Sequence, residues 1–275
     1  MTETPIEPIA PASPWADPPA VDAGTVTVTS LEAPKEPSRL STLLWGVAGT
    51  LLLAAWLSWQ MGLLWGVAAV VGVFVHEFGH VLVINWAGSG PSSIRIIPFL
   101  GGAATMKRAP DSDFKGVLIA LAGPAMGLVA ALPFFAAAAL TGERAWLAGA
   151  FFIGLLNFVN LAPAPPLDGS KALGPVLARI HPILERAALL VVGLLAVAWG
   201  VSHGSYIFAA FIAVSVMAAA FGRAIRAPAR PLTWREWAIS LALYAVVLSA
   251  AAAVIGASLG GALPAGLANF FRFGG

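Results

Sequence analysis

The sequence predicts an all-α, multi-pass membrane protein with about six to seven transmembrane helices. Three observations predict it. Of the 275 residues, 59% are hydrophobic and only 10% charged, where a soluble domain carries about 25% charged residues. The apolar runs are hydrophobic on all sides rather than along one stripe, and they repeatedly reach the roughly 20 residues that cross ~30 Å of hydrocarbon. The cationic residues, finally, fall on one side of those runs.

Residues 1–40 differ in kind from the rest. They are rich in Pro, Ala, Glu, Asp and Thr and offer little to bury, so they are expected to form a disordered cytoplasmic tail. No basic stretch precedes an apolar one there, which argues against a signal peptide. Seven candidate spans follow: Ser41–Trp59, Met61–Ile84, Phe114–Leu140, Ala145–Ala162, Ile183–Val201, Ser205–Gly222 and Trp237–Ser258. Trp59, Trp86, Trp146, Trp199 and Trp237 stand near their ends, where amphipathic rings prefer the headgroup layer. With the N-terminus in the cytoplasm of a cell-membrane protein, thirteen of the fifteen Lys and Arg residues lie inside, and only Arg144 and Arg272 outside. An odd number of spans then leaves the C-terminus outside. The chain divides into the tail, a core over 41–222, and a segment over 223–275 with a basic linker, one extra transmembrane helix and a short end. The absence of cysteine excludes disulfides, thiolate metal sites and a cysteine nucleophile.

Thirteen acidic residues are present, and two of them, Glu77 and Asp168, stand at membrane depth. An ionisable group there costs ~2.5–3.5 kcal/mol on insertion scales and is usually functional and paired. Glu77 lies inside His76-Glu77-Phe78-Gly79-His80. On a helix, residues four apart share a face, so both imidazoles can grip one ion. The glutamate beside them can reach a water on the open position of a zinc site and take its proton. The plainer alternative is a pair of core histidines bonded to neighbouring helices, but that role does not ask for this spacing.

Two histidines leave a catalytic zinc one protein ligand short. Asp168 is the candidate third ligand, because the second and fourth spans run in the same direction and place it at the depth of His76 and His80. Asp168 also suits the N-cap of a helix from Ser170 to Arg179, and the two roles are compatible.

The two elements together resemble the site-2 proteases, a family of intramembrane zinc metalloproteases. That family pairs HExxH in one span with Asn-x-x-Pro-x-x-x-Leu-Asp-Gly in a later one, matched here by Asn160 through Gly169. The resemblance covers about Ser41 to Gly222. It implies one zinc ion per chain held by His76, His80 and Asp168, with Glu77 as the catalytic acid/base. It also implies a short re-entrant β-hairpin around Pro98–Ala104, whose Gly101 and Gly102 are candidate substrate-binding residues, since an added strand would hold an unwound substrate extended. Gly123-Pro124-Ala125-Met126-Gly127 is similar to a further family element, and Gly127 stands where relatives often have asparagine. If that asparagine stabilises the oxyanion, Asn157 or Asn160 is the candidate donor here; close helix packing through small residues is the simpler role for the element.

The expected function is therefore cleavage of transmembrane segments of membrane-anchored proteins by zinc-activated water, releasing a soluble regulator. The partners are a transmembrane protein substrate and the lipid bilayer, with no nucleic acid and an oligomeric state left open. The alternative is a non-catalytic metal-binding membrane protein, a transporter or a degenerate scaffold. Ion pathways place ionisable residues at several depths, whereas this chain has one cluster at a single depth.

Overall fold

Eleven elements follow one another in the computed structural model, which describes residues 39–97, 101–221 and 229–260. They are α1 (Arg39–Met61), α2 (Leu63–Trp86), β1 (Ser93–Ile97), β2 (Gly101–Thr105), α3 (Asp113–Val129), α4 (Leu132–Thr141), α5 (Trp146–Asn160), α6 (Asp168–Ile180), α7 (Pro182–Ser202), α8 (Tyr206–Phe221) and α9 (Trp234–Leu259). The expected disordered tail, apart from its last two residues, lies outside the described residues. So do most of the basic linker and the chain beyond residue 260.

The chain is a mostly helical membrane protein. Among the described residues, four segments are long and apolar enough to cross a membrane: Leu63–Trp86, Asp113–Thr141, Pro182–Ser202 and Trp234–Leu259. Val47–Met61 and Trp146–Asn160 are apolar but shorter. At 1.5 Å per residue the latter covers only about 22 Å. Seven crossings would require α1, α5 and α8 to cross as well, and six would require two of them.

Local chemistry sets several boundaries. Gly62 adopts φ 106°, open mainly to glycine, so α1 and α2 are separated by one residue. The third expected span is not one straight helix. It breaks at Ala130 and Ala131 and restarts with Pro133 near the start of α4. A continuous helix would drive the Pro133 ring into the carbonyl of Val129, and proline has no N–H to bond there. Gly142, left-handed at φ 73°, ends α4 by donating its N–H to the Ala138 carbonyl.

The strands pair antiparallel, from Ser93 opposite Thr105 to Ile97 opposite Gly101. Both ends of this excursion are tied to the end of α2. Ser89 O accepts from the backbone N–H groups of Lys107 and Arg108 at 3.1 and 3.2 Å. Asn85 Oδ1 accepts from Ser92 N and Ser92 Oγ, both at 3.2 Å.

In the bundle, α2 lies against α1, α3 and α5, while α7 and α8 pair with each other and α7 with α6. The sequence reading set residues 223–275 apart from the core, yet α9 packs against α3, α5 and α6. Tyr244 and Ala251 of α9 join Val117, Leu121 and Leu161 in a central apolar cluster. Tyr244 donates its hydroxyl to Leu161 O at 2.6 Å, and Trp237 Nε1 donates to Val176 O at 3.0 Å. The start of α9 is capped by Thr233 and Glu236 reciprocally. The preceding Arg230 exchanges backbone bonds with Asp111 and Asp113, next to the start of α3.

Candidate metal centre

The site is assembled where α2, α3, α5 and the start of α6 meet. Helix α2 approaches α3 closely because glycines face the contact. A Cβ on Gly79 would overlap the Ala122 carbonyl, and one on Gly123 would overlap the His80 ring. Small residues let two backbones approach in this way. His76 and His80, one turn apart, both turn toward the interior and are buried, as is Glu77 between them.

Asp168 arrives from the other side of the bundle as the first residue of α6. After α5 ends at Asn160, the segment through Pro163, Pro165 and Pro166 cannot continue as helix. The chain folds back tightly enough that a Cβ on Gly169 would overlap the Leu161 carbonyl. The capping alternative for Asp168 is corrected by the structure. The N-cap of α6 is Leu167, without a side-chain cap bond. The Asp168 carboxylate is directed to the histidines.

Its Oδ2 lies 3.0 Å from His76 Nε2 and 3.2 Å from His80 Nε2, and the two Nε2 atoms are 3.2 Å apart. Donors bound to one tetrahedral zinc at about 2.0–2.1 Å stand roughly 3.3–3.4 Å from each other. The triangle is therefore close to one face of such a tetrahedron. Protonation points the same way. His80 Nδ1 is 2.7 Å from Ile119 O, a backbone carbonyl that can only accept. His76 Nδ1 is 2.9 Å from Asn157 Oδ1. Both Nδ1 atoms must carry a proton to make these bonds, which in a neutral imidazole leaves Nε2 as a lone pair. Two nitrogen lone pairs and a carboxylate oxygen then converge on one point. Such a set is held together by a shared cation, and two imidazole nitrogens with one carboxylate oxygen at this spacing fit a divalent metal ion. Among the described residues His76, His80 and Asp168 are the acidic and imidazole groups close enough to hold one.

The other expected residues are placed differently. Asn157, buried in α5, spends its Oδ1 on His76, and its Nδ2 donates to Ile153 O at 2.8 Å. Asn160 Nδ2 donates to Leu156 O within its own helix, at 3.0 Å. Gly101 and Gly102 stand in β2 opposite Ile97 and Ile96. Sequence reasoning missed two contributors: the Ile119 carbonyl beside His80 and Tyr244 on the Leu161 carbonyl. A backbone acceptor has no sequence signature. Gly123 was legible only as part of a small-residue element.

Residues 47–166 match the family described as Peptidase M50B-like. A Synechocystis sp. protein, named as a candidate zinc metalloprotease, is 32% identical over 131 residues, 44% of this chain. The chain covers 33% of that relative's length, about a third. No solved structure matches the chain. The resemblance to the site-2 proteases is thus supported over the matched region.

Proposed function

We propose that this chain, which resembles the site-2 proteases over the matched region, is an intramembrane zinc metalloprotease cutting transmembrane segments of membrane-anchored proteins. The observation that carries the reading is the convergence of His76 Nε2, His80 Nε2 and Asp168 Oδ2 within 3.0–3.2 Å of one another. The residues that would hold the ion are these three. A zinc ion there supplies a Lewis acid, the chemistry that makes water nucleophilic near neutral pH.

The chain's own groups do the rest. Ile119 O and Asn157 Oδ1 keep the protons on the two Nδ1 atoms, so both Nε2 lone pairs stay turned inward. Glu77, adjacent to His76 in α2 and buried, accepts the proton of the attacking water and returns it to the leaving amine. A substrate helix shields its peptide bonds and must be unwound before attack. The strand pair offers an edge on which the unwound segment adds as a further strand, near Gly101 and Gly102. Asn160 remains the candidate to polarise the scissile carbonyl. The N-terminus lies in the cytoplasm, cleavage occurs near that face, and the released product is a soluble regulator such as a membrane-held transcription factor. The protease core is residues 41–222, and α9 from the 223–275 segment completes its packing.

The test is purification in detergent, measurement of bound zinc, and incubation with transmembrane peptides alongside Glu77→Gln. The wild type should hold one zinc and cleave. Glu77→Gln should hold the same zinc and lose cleavage by at least about 10²-fold, the scale of a lost general base. Equal cleavage by both proteins would refute the role of Glu77; zinc without any cleavage would favour a non-catalytic metal protein.

A further inference from the structure

The two histidines are oriented by different means. His80 leans on a backbone carbonyl, Ile119 O, which no side-chain substitution removes. His76 leans on a side chain from another helix, the Asn157 carboxamide. That carboxamide is wholly buried in a largely apolar helix. Its orientation is fixed, because Nδ2 bonds Ile153 O one turn back and leaves Oδ1 to face His76. Space for it comes from α3. A Cβ on Gly127 would run into the Asn157 carboxamide, lying 2.7 Å from Nδ2 and 2.8 Å from Cγ. Any side chain at 127 would therefore push Asn157 off His76.

We infer that Asn157 is a positioning residue for the metal centre, holding His76 in the tautomer whose Nε2 can ligate, and that Gly127 is its required cavity. The two positions act as one unit across α3 and α5. The inference rests on the metal-centre reading above and concerns affinity for the ion rather than the bond cut. Groups of this kind, which orient a ligating histidine, typically change metal affinity 10–100-fold when removed.

The experiment measures zinc affinity by chelator competition, and the visible absorption of the cobalt-exchanged protein, for the full chain in detergent. Asn157→Leu keeps the bulk and removes the acceptor; it should lose about 10–100-fold in zinc affinity and shift the cobalt bands. Asn157→Asp keeps the acceptor and should retain zinc far better than the leucine variant. Gly127→Ala should weaken zinc in the wild-type background and have little further effect beside Asn157→Ala, because the carboxamide it displaces is already gone. Should Asn157→Leu fail to fold, Asn157→Ala carries the same expectation. Wild-type zinc affinity in Asn157→Leu, or full additivity in the Gly127/Asn157 cycle, would overturn the inference alone. A wild-type protein that binds neither zinc nor cobalt would overturn the metal-centre reading with it.

Discussion

At the scale of single residues, the site depends on where protons can sit. Both Nδ1 atoms face acceptors, so in the neutral imidazoles the inner nitrogens face Asp168 as lone pairs. Removing one donor should release the ion: His80→Ala and Asp168→Ala should each lose bound zinc on dialysis, measured by metal analysis, whereas Glu77→Gln should not. Chelation of the wild type should abolish cleavage and added zinc restore it. Gly123 makes a separate demand. A methyl group there overlaps the His80 ring, and overpacking of this kind typically costs about 1–3 kcal/mol. Gly123→Ala should therefore lower both thermal stability and zinc content.

At the scale of elements, α9 is tied to the loop that carries Asp168. Tyr244 donates to the carbonyl of Leu161, the residue against which Gly169 folds back. Tyr244→Phe removes that donor and should destabilise the protein by about 1 kcal/mol, the net value of a typical hydrogen bond. A melting curve in detergent reads it. The HExxH turn was legible because helical periodicity places i and i+4 on one face whatever the neighbours are. The Asn160–Gly169 stretch was legible from its prolines and its one buried carboxylate. The break before Pro133 was not anticipated, although the proline that causes it was in view. Hydropathy reports only that a segment is apolar, and α3 with α4 remains apolar across the bend.

At the scale of the whole molecule, the asymmetry of cations sets the expected orientation. Tags at the two ends should report opposite sides in intact cells: the N-terminal tag protected from outside, the C-terminal tag accessible. Equal accessibility of both would contradict an odd number of crossings. Toward the bilayer the outer faces are apolar, with Phe74, Leu194, Val214 and Val246 exposed. That is what lipid rather than water would solvate.

The sequence alone determined the membrane class and singled out His76, Glu77, His80 and Asp168 as the candidate site. The class follows from composition, and the shared face of His76 and His80 from spacing within one helical turn, whereas Asp168 came from the direction of the spans and the resemblance to the site-2 proteases. Only the tertiary structure decided which atoms face each other: the Ile119 carbonyl under His80, the Asn157 carboxamide under His76, and α9 against the Asp168 loop. Such pairings join residues as many as 83 positions apart. They are set by how closely helices can pack, which depends on the side chains of both partners and leaves no periodic trace in either.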